Sequence, residues 1–315
     1  MLRYLSSLKE NKRERTGLAL AAPVVVFLFV FFIIPTGMLL VYSFWLSESF
    51  VLIPSATLEN YTNALMRPAV QASLLAGVTI GFWTAIISTV LSYPVAWYIA
   101  YRSRTNILLY AVLLSWFSSY LVRIFAWRTI LGTNGLINES LMHFGMIQEP
   151  LEFLIFSRVS VTITLVHVFV PFTLLLLLSA LRNITPDFLE AARDLGASRM
   201  QVFLRVTLPI AYKGFFGSFI FTFILAAGDF ITPQLLGGRT GITTGLLISG
   251  QFRQTGNWPY GAAMAFILLM VFMLTYVLLI QSSRWLKLAP GSRFHPSMER
   301  MRAEAGAAES TQPGV

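Results

Sequence analysis

The chain of 315 residues contains no cysteine. Disulfides, thiolate metal sites and cysteine nucleophiles are therefore excluded. Charge is scarce: 12% of residues are Asp, Glu, Lys or Arg, about half the usual 25% of a soluble chain. No G-x-x-x-x-G-K-[ST] loop is present to cradle nucleotide phosphates, so ATP hydrolysis by that route is excluded. Neither G-x-S-x-G nor H-E-x-x-H occurs, and no pair of intramembrane aspartates is visible. An intramembrane enzyme thus lacks its usual nucleophile or metal motif.

What is present is hydrocarbon. Apolar residues make up 56% of the chain, and mean hydropathy is +0.70. Six apolar runs lie near Leu18–Tyr42, Ser73–Ala100, Ile107–Leu131, Val159–Leu181, Phe215–Ile231 and Tyr260–Ile280. About 20 helical residues cross a bilayer, and only helices or closed barrels satisfy every backbone group in lipid. These runs are too long for barrel strands. They predict an all-α membrane protein with six transmembrane helices. The shortest run, Phe215–Ile231, encloses Asp229. Leu151–Phe156 is apolar but too short to span, and reads as an interfacial or re-entrant piece.

Basic residues set the orientation. Of 23 Lys and Arg, 17 fall in residues 1–16, the second loop, the fourth loop and the C-terminal tail. With six spans these segments share one side, which the positive-inside rule makes cytoplasmic, together with both termini. The formal charge of +9 is a topology signal and calls for no nucleic acid. Residues 1–16 read as a basic cytoplasmic tail before an uncleaved first span. Residues 17–288 read as the transmembrane domain. Residues 289–315, rich in Ala, Gly, Glu, Ser and Pro, read as a disordered cytoplasmic tail.

One polar segment, 185–209, separates two apolar runs on that cytoplasmic side. Thr185 and Pro186 suit a helix start, with Asp187 and Glu190 as an alternative capping box. Gly196 suits a left-handed stop, and Ser198 with Gln201 suits a second capping box. Pro209 is expected to end the hairpin. Phe188, Leu189, Ala192 and Leu195 are expected to face the membrane domain, with Glu190, Arg193, Asp194 and Arg199 facing water or a partner.

The order Glu190-Ala191-Ala192, three residues, Gly196, nine residues, Val206-Thr207-Leu208-Pro209 resembles the signature loop of permease subunits of binding-protein-dependent ABC importers. Val206 stands where that pattern usually has Ile. Leu121 to Trp127, Gly132-x-Asn134-Gly135-Leu136-Ile137-Asn138 and Gly228-Asp229-Phe230-x-x-Pro233-x-Leu235-Leu236-Gly237-Gly238 are similar to the spermidine/putrescine group of those permeases. The resemblance implies a type I importer fold with a cytoplasmic coupling helix in a bacterial inner membrane. It implies that Glu190 makes a charged contact with an ATPase subunit, that Ala191 and Ala192 allow close approach, and that Gly196 makes the turn, with Arg193 and Arg199 beside them. It further implies two ATP-binding subunits carrying ATP and Mg, a second, related permease in a heterodimer, and a solute-binding protein. No cofactor is implied on this chain. The implied solute is spermidine, putrescine or a related small cation, although relatives also carry opines, ferric iron and sulfate.

Two roles fit Asp229: balancing a solute ammonium, or pairing with Arg123. A carboxylate at that depth is costly unless paired, protonated or facing water. Trp116, Tyr120, Arg123 and Trp127 recur at i, i+4, i+7 and i+11, one stripe of a continuous helix. Aromatic faces hold ammonium groups, so the stripe is a candidate cavity wall. The alternatives are an interfacial Trp127, a snorkelling Arg123 and a packed Trp116. His167, with no ligand partner at metal spacing, reads as a packed or hydrogen-bonded histidine. A turn-rich periplasmic loop is expected between Gly237–Gly238 and Asn257–Pro259. The rival class is an ion-coupled secondary transporter with Asp229 as the coupling carboxylate; a third is an assembly protein with no transport path.

Overall fold

The computed structural model describes residues 20–48 and 50–285. The two tails expected at 1–16 and 289–315 lie outside the described residues.

Each apolar run becomes a helix, because in lipid a backbone N–H finds an acceptor only within its own segment. The spans are α1 (Leu20–Tyr42), α3 (Pro68–Tyr101), α7 (Arg158–Arg182), α9 (Arg199–Gly228) and α12 (Trp258–Trp285). Shorter helices are α2 (Glu59–Met66), α6 (Leu136–His143), α8 (Pro186–Asp194), α10 (Ile231–Leu236) and α11 (Thr244–Gly250). The third run is broken. It forms α4 (Ile107–Trp116) and α5 (Tyr120–Leu131), and the path bends by 90° at the break. The described part thus has five spans, or six with the bent pair counted as one.

The break falls midway along the run and contains no proline. Phe117-Ser118-Ser119 occupies it. Ser115 Oγ donates to Val112 O at 2.6 Å and Ser118 Oγ to Ser115 O at 3.2 Å. Serine hydroxyls compete with backbone donors for carbonyls, and serine pairs are a recognised cause of kinks. Pro94 and Pro171 lie inside α3 and α7, which carry on through them.

The run expected at Phe215–Ile231 is part of a longer helix. α9 begins in the cytoplasmic hairpin and continues to Gly228. Pro209 therefore does not end the hairpin. It follows a widened π-type turn at Phe203–Thr207, which accommodates the missing proline N–H and the clash of its ring with the preceding turn. Asp229 falls one residue beyond the helix, extended at φ −65° and ψ 141°, and is not inside a span.

The described residues form two compact units. One joins the described part of Met1–Gln71 to Leu247–Leu269. It holds a departure from the all-helical expectation, a short antiparallel pair β1 (Leu46–Glu48) and β2 (Val51–Ile53), in register Leu46 to Ile53. Buried Asn60 fixes the neighbouring turn by donating to Ser43 O at 3.0 Å and Trp45 O at 2.7 Å. The loop expected to be turn-rich is largely helical: α11 runs into a π-type turn, Gln251–Thr255, and Gly256 at φ +63° ends it.

The other unit, Ala72–Leu246 with the described residues after Met270, holds the main core. Ile80, Ile124, Val161, Leu165, Val168, Phe169, Ala226 and Leu236 make one cluster. Close backbone approach fixes α3 against α9: a side chain at Gly81 would meet Ala227 Cβ at 2.7 Å and Phe223 O at 2.9 Å. Such contacts are how helices associate where lipid supplies no hydrophobic drive. Leu151–Phe156 does not span; Leu154 and Ile155 are buried beside a single helical turn.

Candidate functional site: a cytoplasmic hairpin and an intramembrane polar cluster

The hairpin is built as its glycine and serine predict. α8 stops at Asp194, and Gly196 adopts φ +81°. Gly196 N donates to Arg193 O at 2.8 Å, and Ala197 N to Ala192 O at 3.1 Å. That pair of bonds is a Schellman stop, which satisfies two free carbonyls of the helix end. Ser198 and Gln201 form the capping box, at 3.3 Å and 2.8 Å. Thr185 starts α8 by position but caps nothing with its side chain; Phe188 N bonds Thr185 O instead, at 3.3 Å. The alternative Asp187–Glu190 box does not form.

Leu189, 3% exposed, and Ala192 seat the hairpin on Leu177, Leu181, Ile184, Tyr101 and Val202. Tyr101 Oη donates to Leu181 O at 2.6 Å, tying off a carbonyl at the end of α7. Two residues expected to face inward do not. Leu195 is 89% exposed and Phe188 58%. Phe188 is one residue, about 100°, around the helix from Leu189, and Leu195 follows the last helical residue, where the chain swings into the left-handed turn. Both stand with exposed Glu190, Ala191, Arg193, Asp194, Arg199 and Met200. The outward face thus mixes apolar side chains with both signs of charge on a firmly seated base. Gly196→Val should cost about 1–2 kcal/mol, since a β-branched residue is strained at positive φ; a lowered Tm of the detergent-solubilised protein checks this.

The second cluster lies within the apolar core. Tyr120, the first residue of α5, donates its hydroxyl to Asp229 Oδ1 at 2.8 Å and lies 2.8 Å from Thr232 Oγ1. Asp229 Oδ2 accepts from Thr232 N at 2.9 Å, so the carboxylate caps α10. Thr243 Oγ1 donates to the Asp229 carbonyl at 3.0 Å. Asp229 therefore knots three segments together. The expected Asp229–Arg123 ion pair is absent. Arg123 is 7% exposed, and its Nε and Nη1 have no hydrogen-bond partner among the described residues. An uncompensated buried charge costs several kcal/mol, so this guanidinium is the most strained group of the cluster.

The four-residue stripe is also split. Tyr120, Arg123 and Trp127 share α5, but the break puts Trp116 on α4, where its ring meets Phe172 edge-on at 4.8 Å. Trp127 Nε1 donates to His167 Nδ1 at 3.0 Å. His167 thus accepts at Nδ1, leaving Nε2 as the N–H of the neutral ring. These two residues edge a groove of about 420 Å3 whose other walls are aliphatic Ile87, Leu91, Ile163, Val166 and Val170. It suits methylene groups rather than charge.

Sequence reasoning missed Thr232, Thr243 and Asn138. Buried Asn138 donates to Gly132 O at 3.1 Å and accepts from Leu151 N at 2.9 Å. Gly135 packs against the carbonyls of Thr129 and Ile130 with no room for a side chain. The Gly132–Asn138 motif is thus a loop brace, and its glycines beside an asparagine were the available signal.

Residues 11–285 match the family described as binding-protein-dependent transport system inner membrane component. The chain is 31% identical over 267 residues to the spermidine/putrescine transport system permease protein PotB of Escherichia coli K12, covering 84% of this chain and 96% of that one. It is 35% identical over 229 residues to the inner membrane ABC transporter permease protein YdcU of the same strain, covering 68% and 72%. It shares its fold with the crystal structure of a bacterial ABC transporter involved in alginate import, at TM-score 0.70 and 17% identity, covering 89% of this chain and 98% of that one. The chain therefore belongs to the family of inner membrane components of binding-protein-dependent transport systems: it is a multi-pass permease subunit, and ATP hydrolysis is not its task.

Proposed function

We propose that this permease pairs with a related but distinct second permease, is driven by two ATP-binding subunits carrying ATP and Mg, and imports a small amine-bearing solute of the spermidine/putrescine kind from a solute-binding protein. The observation that carries the coupling role is the hairpin. Glu190, Arg193, Arg199, Phe188 and Leu195 form an exposed face on a base fixed by Leu189 and the Gly196 stop. Ala191 keeps that face low, so that a groove on an ATPase subunit can close over it. The amine-bearing solute is supported by the likeness to PotB. The engagement of both Asp229 oxygens by Tyr120 and Thr232 weighs against a proton-coupling carboxylate.

The test is uptake of labelled putrescine by vesicles holding the whole transporter and its binding protein. Accumulation should require ATP and the ATPase subunits and persist when an ionophore collapses the ion gradients. Accumulation that follows the gradient and ignores the ATPase would overturn the reading.

A further inference from the structure

We propose that Arg123 and the open N-terminal end of α5 form a site for an anionic group, so that the amine-bearing solute also carries a carboxylate. This rests on the reading above of an amine-bearing cargo.

Two independent features point the same way. The first is the uncapped helix end. α5 begins at Tyr120 after the 90° break, and its N-cap residue, Ser119, makes no side-chain cap bond. Arg123 N is the first donor of the helix to reach back, to Ser119 O at 3.2 Å. The N–H groups of Tyr120, Leu121 and Val122 have no acceptor among the described residues. Leu121 and Val122 are exposed, and the break falls midway along an apolar run. Lipid offers no acceptor at that depth, so these donors must face a polar occupant. A helix N-terminus favours an anion there, and broken helices in transporters aim such ends at solute carboxylates.

The second feature is the guanidinium itself. Arg123 lies one turn into α5, on the inward face with Ile124 and Leu131, and is more than nine-tenths buried with Nε and Nη1 unpartnered. Side chains on a helix lean toward its N-terminus, which brings this cation toward the open end. Arg matches a carboxylate bidentately.

The protein's own carboxylate is otherwise engaged. Asp229 gives one oxygen to Tyr120 and the other to Thr232 N. A carboxylate on a neighbouring subunit would dock on the outward face, Leu121, Val122 and Phe125, away from Arg123. The remaining source is the cargo. A bare dication would meet a free arginine and a positive helix end, whereas a solute with one ammonium and one carboxylate satisfies both.

Putrescine and 4-aminobutyrate are probes of similar length that differ in one end group. In proteoliposomes holding the complete transporter with its binding protein, 4-aminobutyrate should be taken up at least tenfold faster than putrescine. Arg123→Gln should cut that uptake at least tenfold with the complex still assembled, and Arg123→Lys should recover part of it. ATP-driven uptake of putrescine without 4-aminobutyrate would overturn the carboxylate site and leave the amine-bearing reading standing. Uptake of neither probe would overturn both. Recovery of Arg123→Gln by a second change, Asp229→Asn, would make Asp229 the counter-ion, and loss of the second permease on purification would make it a subunit contact; either result overturns the proposal.

Discussion

Glu190→Lys should lower ATP-driven uptake by at least about 30-fold, because truncating or reversing one member of a close contact pair costs about 2–5 kcal/mol. The residue is exposed near the middle of α8, its backbone held by a seated helix and its side chain in the outward face. Lysine is nearly as good a helix former as glutamate, so the hairpin itself should survive. Leu189, Ala192 and the Gly196 stop are untouched by the change. The loss must then appear at the joint with the ATPase subunit. Two measurements separate its forms. Copurification reports whether the ATPase still binds, and ATP hydrolysis set against uptake reports whether bound ATPase still drives transport. Normal uptake by Glu190→Lys would remove this contact from the coupling role.

Asp229→Ala should destabilise the membrane domain strongly, whereas Asp229→Asn should not. Alanine leaves the Tyr120 hydroxyl and the Thr232 N–H without their acceptor in a partly buried place. Each orphaned donor costs about 1–3 kcal/mol, and α10 loses its cap, worth about 1 kcal/mol within that total. Asparagine keeps one oxygen for Thr232 N, is itself a good cap, and presents an amide that can donate to the Tyr120 oxygen. Thermal unfolding in detergent should show a clear drop in Tm for alanine and a small one for asparagine. Uptake by Asp229→Asn then isolates the charge. Stability retained with transport lost would assign the carboxylate to the solute path; equal loss of both would confine it to holding Tyr120, α10 and the Thr243 loop together.

The contrast between the two sites explains what the sequence could reveal. The hairpin stop is local chemistry. Gly196 and the Ser198–Gln201 pair need only their immediate neighbours, and both form as read. The polar cluster depends on which helices meet. Asp229 and Arg123 were visible as intramembrane charges, but nothing in the order of residues distinguishes a bond to Arg123 from one to Tyr120. Helical periodicity placed Trp116 with Tyr120 because it assumes an unbroken helix; Ser118 and Ser119 were the only mark of the break. Pro209 misled in the opposite sense, since a π-type turn lets the helix continue through it. The β1–β2 pair left no signal beyond three residues on each side.

The uninterrupted course of α9 has a mechanical consequence. Thirty residues at 1.5 Å each span about 45 Å, from Arg199 in the hairpin to Gly228 beside Asp229. Force applied at the cytosolic tip travels along a single stiff rod. Its one compliant point is the Phe203–Thr207 turn, close to the driven end. A small tilt about that point would therefore be magnified along the remaining length, so a slight stroke by the motor arrives as a large sideways displacement where Tyr120 holds Asp229.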